Sequence, residues 1–339
     1  MADGAVYPVC RSHLEAMTGP LGIWQHALGS NPDPAHGTCT DDVSRALLVD
    51  LAHAEAIGWP RVRTSAWRAL EYLAAAHEPS GRRFRNFRDA GGRWADAPPS
   101  EDSQGRALLA LGTAAATGLD PAYRARAAAL FDLALPGAGS LVARRAVSSA
   151  VLACAAALAN PAPGGPLRVE TEAMLTGLAA RLLEAFAPTA DLDADWPWPE
   201  PALTYENTLP ARALIVAGEQ LDDARLRRTG LRTLDWLIEV QTAPSGAFSP
   251  IGNRTWWRRG AARSRFDQQP IEAATMIAAC EAAWTATSDP RYVAAAEAAY
   301  AWFLGTNDAH VPVAIPEDGA GSDSLKLTVT SEFDQAGAE

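Results

Sequence analysis

The pattern of apolar and polar positions divides the chain into two alternating kinds of segment. One kind is apolar nearly all round and rich in alanine, as at 108–116 and 143–159, and alanine has the highest intrinsic helix propensity. The other kind is apolar on one side and carries arginine or glutamate on the other, as surface helices do. These amphipathic segments lie at 8–17, 64–77, 121–135, 167–186, 222–241 and 290–304. Strand-like alternation is almost absent outside 324–330, so the pattern predicts an all-α fold.

The apolar segments open in a repeated way, with an acidic residue, a short polar stretch and then the apolar run. Such openings recur at a spacing of about 60 residues, a period typical of repeat architectures. They lie at Asp41-Asp42, Glu101-Asp102, Glu206 and Asp267, with a copy that lacks the acid at 144–159 and a sixth opening at 332–339. Since one helical hairpin cannot bury its apolar face alone, the hairpins must close on each other. We predict an (α/α)6 toroid at 1–308 whose sixth inner helix is truncated or replaced, and an irregular segment at 309–339 that contributes to or closes the ring.

The inner helices of such a ring run parallel, so their N-termini share one end of the barrel. The acidic openings should therefore converge on one mouth, together with the loops that precede them at 19–40, 78–100, 187–204 and 242–265. Six of the eleven tryptophans lie in these loops. They are Trp24, Trp94, Trp196, Trp198, Trp256 and Trp257.

Two interpretations of the acidic openings remain open. Acidic residues at helix starts satisfy free N–H groups and interact favourably with the helix dipole. Alternatively, opposed carboxylates on a rim can act across a sugar, because inversion at a glycosidic bond needs an acid and a base roughly 6.5–9.5 Å apart. Clustered carboxylates also push their pKa values apart. The candidate catalytic set is Asp42, Asp102, Glu206 and Asp267.

Other residues near the openings are candidates for substrate binding. Flat aromatic faces suit pyranose rings and polar side chains suit hydroxyl groups, although the tryptophans could equally pin long loops onto the toroid. The candidates are Trp24, His26, His36, Asp41, Glu101, Trp196, Trp198, Glu200, Tyr205, Asn253, Trp256, Trp257, Gln268 and Gln269. Arg45, Arg106 and Arg212 follow the acidic residues, and local ion pairs or neutralisation of the rim are their expected roles.

Charge and cysteine usage narrow the class of partner. The net charge of −11 argues against nucleic acid, whose binders carry a basic footprint. The four cysteines fall in no CxxC pattern, and a zinc site built from His26, His36 and Cys39 matches no standard spacing. We expect no metal and no cofactor. The N-terminus lacks a basic region followed by an apolar run, and no apolar run reaches bilayer-spanning length. The expectation is a cytoplasmic protein with no membrane partner.

Several motifs, taken in order, resemble a bacterial family of six-hairpin, glycosidase-like proteins whose members tend to be encoded beside, or fused to, glycosyltransferases. The matching strings lie at 22–27 with 36–42, 100–108, 196–198 with 205–207, 248–253 and 266–272. The resemblance implies carbohydrate processing and suggests a glycosyltransferase as partner. The chain departs from the family at Val43, where a polar residue is usual, at Glu206, where Asp is usual, and beyond Asp308.

The leading hypothesis is an inverting glycoside hydrolase that acts on an oligosaccharide or glycoside. A second hypothesis is a non-catalytic glycan-binding or scaffold partner of a glycosyltransferase, favoured by Val43 and by the missing last helix. A third is an α-toroid cyclase or isomerase acting on a non-sugar substrate, which an apolar, aromatic-lined cavity would favour over a polar cleft.

Overall fold

The computed structural model describes residues 7–80, 82–95, 100–117, 119–161, 168–192, 195–326 and 333–334. For 187–192 and 333–334 only the backbone is described. The helices are α1 (Ser12–Met17), α2 (Thr40–Ile57), α3 (Trp59–Ala76), α4 (Glu101–Ala116), α5 (Pro121–Ala138), α6 (Arg144–Ala159), α7 (Arg168–Leu192), α8 (Leu209–Gln220), α9 (Ala224–Val240), α10 (Pro270–Thr287) and α11 (Pro290–Phe303). The sixth opening at 332–339 lies almost wholly outside the described residues.

Helices α2 to α11 form five hairpins in which inner and outer helices alternate. The inner helices α2, α4, α6, α8 and α10 pack against one another in chain order, and each outer helix packs on its own inner partner. An outer helix packs on its inner partner with its apolar side. Helix α9, for example, buries Leu226, Leu234 and Leu237 and leaves its arginines on the opposite side. This arrangement confirms the predicted (α/α)6-type toroid. Its first outer element is only the short helix α1.

Close contact between inner helices explains their small residues. Gly105 and Gly112 lie on the side of α4 that faces α6. A Cβ atom on Gly105 would lie 2.7 Å from the Ala146 Cα, and one on Gly112 would lie 2.4 Å from the Ala153 carbonyl oxygen. The two helices therefore touch backbone to backbone, and a larger residue at either glycine would have to push them apart.

Short strands lie at the mouth of the toroid. They are β1 (Thr18–Gly19), β2 (Gly22–Leu28), β3 (Asn31–Cys39), β4 (His77–Glu78), β5 (Arg83–Phe84), β6 (Phe87–Arg88), β7 (Ala202–Leu203), β8 (Trp257–Arg258), β9 (Ala314–Ile315), β10 (Ala320–Gly321) and β11 (Phe333–Asp334). The predicted loop 19–40 is thus a β-hairpin, which β1, β6 and β11 extend into one antiparallel sheet. Sequence periodicity missed it because neither strand buries every second residue, and alternation is the signal of a half-buried strand.

The C-terminal segment takes the place of the sixth inner helix. Between α11 and residue 326 the described chain forms the β9–β10 hairpin and extended backbone, with no helix. The amide and carbonyl of Leu325 bond to the carbonyl and amide of Gln268, just before α10 begins. The His13 amide of α1 donates to the Asp318 carbonyl at 2.9 Å. The segment therefore contacts the start of α10 on one side and α1 on the other; that it closes the ring stays a prediction.

None of the helices in the described part of the chain is long and apolar enough to cross a membrane.

Candidate functional site

The N-termini of α2 and α4 are capped by Cys39 and Ser100, which come shortly before the acidic pairs. The Asp42 amide donates to the Cys39 sulfur, and the Ser103 amide donates to the Ser100 hydroxyl at 3.1 Å. The Cys39 thiol in turn donates to Asp42 Oδ2 at 3.0 Å. Because other groups satisfy these amides, capping does not account for Asp42 and Asp102.

Glu101 does cap a helix, but a neighbouring one. Its Oε2 accepts from the amides of Val142 and Ala143, at 2.8 and 2.6 Å, where α6 begins. Helix α6 is the copy that lacks an acidic residue of its own, and its N-cap Ala143 has no side-chain acceptor. Glu101 thus has a structural role, since it satisfies the amides at and just before the N-cap of the next inner helix, and its substrate-binding role stays a prediction.

Arg106 of α4 links two other elements at the mouth. Its guanidinium donates to Asp41 Oδ2 at the start of α2 and to Glu206 Oε2 before α8. Arg45 donates to Asp42 Oδ1 at 2.6 Å and lies 3.7 Å from Asp41. Burial alone would lower the pKa of Arg106, but Glu206 and Asp41 raise it above its usual value. Two fixed cations thus hold three carboxylates together, as sequence analysis expected for Arg45 and Arg106.

A second chain of contacts brings Asp102 to the same place. The Tyr205 hydroxyl donates to Asp102 Oδ2. Burial, and then the bond to Asp102, raises the pKa of the Tyr205 phenol, so it stays protonated. Arg145 of α6 stacks 4.5 Å from the centre of the Tyr205 ring, donates to the Tyr205 carbonyl at 2.5 Å and pairs with Glu200 at 3.3 Å. Glu200 therefore supports the tyrosine through Arg145.

The backbone at Glu206 has an unusual conformation, which Glu272 of α10 holds in place. Glu206 has φ of +45°, a region that non-glycine residues enter at a cost and that often marks functional sites. Glu272 accepts from the Glu206 amide and from the Asn207 side chain, the latter at 3.1 Å. Burial raises the pKa of Glu272 to about 7, since this carboxyl is only 3% exposed. Glu206 itself is 7% exposed.

Asp267 belongs to an adjoining group on the loop before α10. It also has a left-handed backbone, with φ of +61°, and it pairs with Arg254 at 3.2 Å. The Asn253 amide donates to the Asp267 carbonyl at 2.8 Å, and the Trp256 indole donates to Asn253 Oδ1 at 2.6 Å. Trp256 is 37% exposed. This group offers an aromatic face, an amide and a carboxylate on the loop that precedes α10.

The two glutamines that follow Asp267 differ in their surroundings. Gln268 is fully buried: it donates to Asp308 at 2.7 Å and accepts from the Trp302 indole at 2.9 Å. Its contacts are those of a structural residue. Gln269 is half-buried at the N-cap position of α10, where its side chain makes no capping bond.

The loop tryptophans mostly pack inside the protein. Trp196 and Trp198 are 5% and 2% exposed, and their indoles donate to nearby backbone carbonyls. The Trp196 ring lies 5.0 Å from Trp257 and 5.4 Å from Trp236 of the outer helix α9. In this conformation these three loop rings pin their loops, as the alternative interpretation held. Trp24 is half-buried, with its indole packed against Gly19.

The β2–β3 hairpin, which carries His26 and His36, lies beside Asp42 but does not form a metal site. The rings of His26 and His36 meet edge to face at 4.7 Å, and His36 lies 3.5 Å from Asp33. Burial, followed by the neighbouring carboxylates, raises the pKa of Cys39, which stays a hydrogen-bonded thiol. Within the described residues, no three His, Cys, Asp or Glu side chains are grouped as metal ligands.

Asp323 is a carboxylate that sequence analysis missed. It lies in the C-terminal segment, and burial raises its pKa. His26, Lys326 and Arg45 act electrostatically in the opposite direction, and Asp42 adds to the upward shift. Asp323 therefore lies within electrostatic range of Asp42 and Arg45 at the mouth. No repeat motif marks it, because it arrives through ring closure and not at a helix start.

Glu272 and Arg145 were also missed as site residues. Glu272 stands third in α10, where an acid normally serves its own helix, and Arg145 opens the copy without an acid. Both side chains act on residues 205–207, which are distant in sequence and close in space. The positions of Arg145 and Glu272 in the sequence alone therefore could not reveal their roles. Arg212, expected at the rim, is half-buried with its Nε atom unpaired among the described atoms.

Comparison with known proteins places the fold. No protein-family model and no curated protein matches the sequence. Among solved structures, a sugar epimerase from a ruminal bacterium superposes with a TM-score of 0.69 at 12% identity, over 94% of this chain and 87% of that one. D-mannose isomerase gives 0.67 at 12% identity, over 94% and 89%. Cellobiose 2-epimerase from Spirochaeta thermophila DSM 6192 gives 0.65 at 14% identity, over 93% and 84%. At such identities the similarity establishes the (α/α)6 toroid fold.

Proposed function

We propose that this chain is a carbohydrate-active enzyme that uses the mouth carboxylates for acid–base chemistry, with glycoside hydrolysis by inversion as its reaction. One observation carries the proposal: Asp42, Asp102 and Glu206 come from three separate hairpins, and the hydrogen bonds of Asp102 and of the Asp42 group meet at the adjacent residues Tyr205 and Glu206. None of the three is used as a helix cap by its own helix. Three carboxylates that converge from separate hairpins without serving as caps are suitable candidates for the acid and base of a catalytic site.

The network suggests a division of roles. Hydrolysis needs one group to protonate the leaving oxygen and another to activate water. We assign the acid to Asp102, whose described partner is the neutral Tyr205 phenol, and the base to Glu206, which Arg106 and Glu272 hold in place. Asp42 with Arg45 would bind sugar hydroxyls. Trp256 and Asn253, near Asp267, supply an aromatic face and an amide for a further sugar ring.

A sugar isomerase or epimerase is the second candidate. The similarity to D-mannose isomerase and two sugar epimerases extends over nearly the whole chain, which favours this class alongside hydrolases. The same pair could serve such a reaction, because a base removes the proton beside the sugar carbonyl and an acid returns it. One of Asp102 and Glu206 would remove that proton from the sugar, and the other would return a proton to it.

One NMR experiment distinguishes the candidates. The protein would be incubated in D2O with a panel of free aldoses, disaccharides and aryl glycosides. Inverting hydrolysis predicts a first-formed product of the opposite anomeric configuration. Epimerisation predicts the C2 epimer with deuterium incorporated at C2, and aldose–ketose isomerisation predicts a ketose with deuterium incorporated at C1. Binding to any glycan without turnover would instead support the non-catalytic scaffold, and absence of both binding and turnover across the panel would refute the carbohydrate proposal.

The remaining expectations stay predictions. A glycosyltransferase partner rests on the sequence resemblance alone. The cyclase hypothesis called for an apolar, aromatic-lined cavity, and such a cavity lies beside the mouth. The carboxylates themselves form a polar network, so a sugar substrate remains the better match.

A further inference from the structure

A large cavity occupies the seam between the last hairpin and the first. Its volume is about 530 Å³, and its surface is mainly apolar. The walls come from inner helices α2 and α10, from the end of outer helix α11 and from the C-terminal segment. The residues that define them are Val49, His53, Ala274, Ile277, Tyr300 and Phe303.

The cavity exists because the C-terminal segment does not fill the space of an inner helix. An inner helix as long as α2 or α10 would occupy on the order of 2,000 Å³, if it is treated as a cylinder roughly 10 Å wide and 27 Å long. The free volume is far smaller than that, but it lies within the roughly 300–1,000 Å³ typical of sites for one small molecule. A ligand of that size therefore suits the cavity better than a docked helix.

The cavity begins at the mouth and runs along the inner helices. Its lining extends on α10 from Pro270, the first residue of the helix, to Ile277. Seven residues of helix correspond to a depth of roughly 10 Å. Asp323 also lines the cavity, and the same side chain interacts electrostatically with Arg45 and Asp42 of the carboxylate network. A molecule could thus contact the carboxylates with one end and the apolar walls with the other.

One polar group of the lining, His53, is held in a fixed orientation by a neighbouring arginine. Arg11 lies with Nη1 2.8 Å from His53 Nδ1. Because a guanidinium only donates, Nδ1 accepts and Nε2 carries the hydrogen. Burial, followed by Arg11, lowers the pKa of His53, so the ring is neutral. A mainly apolar cavity with a few polar groups, such as His53, Ser322 and Asp323, is typical of small-molecule sites.

We propose that the seam cavity binds the apolar aglycone of a glycoside whose sugar occupies the carboxylate mouth, so that the substrate class is sugars linked to a hydrocarbon or aryl group. The inference rests on the proposed carbohydrate site and adds a second, independent contact to it. The apolar walls provide the affinity, and Asp323 marks the boundary between the sugar and its aglycone.

Titration calorimetry tests whether the cavity binds an aglycone. The ligands are n-alkyl β-glucosides and β-mannosides, from methyl to octyl and below their micelle concentrations. 1-Octanol serves as a probe that lacks the sugar. Affinity should rise about threefold to fourfold with each added methylene until the cavity is full. Ala274→Leu, which adds three carbon atoms to the cavity wall and narrows it, should lower octyl glycoside affinity at least tenfold. Ala278→Leu is the matched control: it is half-buried on the same helix, outside the cavity lining, and should change affinity less than twofold.

Tyr300→Ala gives a second test that does not strain the core, because Tyr300 is exposed. It should weaken octyl glycoside binding while leaving methyl glycoside binding unchanged. An affinity independent of chain length, or equal effects of Ala274→Leu and Ala278→Leu, would overturn the inference. If octanol binds in an Ala274→Leu-sensitive way and no sugar adds to its affinity, the apolar site stands and the carbohydrate function fails.

Discussion

Replacing Glu272 with glutamine should remove a defined part of the pH dependence of stability. Glu272 lies 3% exposed beneath Glu206, and burial raises its pKa from an ordinary 4.5 to about 7. The folded chain therefore favours the protonated acid. Its stabilising contribution is fully present below pH 4.5 and is lost as pH rises through 7.

The size of the effect follows from the two pKa values. A shift of one unit corresponds to about 1.36 kcal/mol, so the raised pKa of Glu272 makes the wild type lose about 2.5 kcal/mol of unfolding free energy between pH 5 and pH 8. Glu272→Gln should lack this decline. The variant also starts less stable, because its amide nitrogen would face the Asn207 amide, which is itself a donor fixed by Thr204.

Urea unfolding at pH 5, 6, 7 and 8 measures the effect, with the slope against urea concentration checked at each pH. The quantity to compare is the difference in unfolding free energy between the wild type and Glu272→Gln. We expect this difference to shrink steadily as the pH rises. Parallel curves for the two proteins would refute the assignment of Glu272 as a buried acid that titrates near neutrality.

Two further predictions concern the inner helices. Gly112→Ala should destabilise the fold by about 1–3 kcal/mol through overpacking, because its Cβ would lie 2.4 Å from a backbone oxygen. The control is Gly177→Ala on outer helix α7, where a Cβ would have nothing within 4 Å. This control variant should be more stable than the wild type by up to about 1 kcal/mol. Equal changes in urea midpoint would contradict the close contact of α4 and α6. Glu101→Ala should lower the free energy of unfolding by about 0.5–2 kcal/mol, because α6 loses its cap. A loss of sugar binding with unchanged stability would instead show that Glu101 binds substrate.

Much of the architecture could be predicted because periodicity reports burial directly. The alanine-rich runs became inner helices and the amphipathic segments became outer ones, with α5 beginning at Pro121 as expected. The hairpin at 22–39 was missed since its strands do not alternate. Trp196 and Trp198 show a different limit: sequence places an aromatic ring in a loop, but only packing decides whether its face is free.

The candidate site divides in the same way. Asp42, Asp102 and Glu206 were predictable because parallel inner helices bring their N-termini together. Their partners were not, since Arg145, Glu272 and Asp323 act on residues from other hairpins. Glu101 illustrates the reason: its carboxylate caps a helix that begins at residue 144, a relation that depends on how two hairpins pack.

The turnover numbers of Asp102→Asn and Glu206→Gln, measured on any substrate found in the NMR panel, decide whether the mouth carboxylates are catalytic. Asp235→Asn is the matched control, because this carboxylate lies on outer helix α9 and pairs with Arg291. Each mouth substitution should lower kcat by roughly 100-fold or more, with the control within twofold of the wild type. Wild-type turnover in both mouth variants would contradict the account.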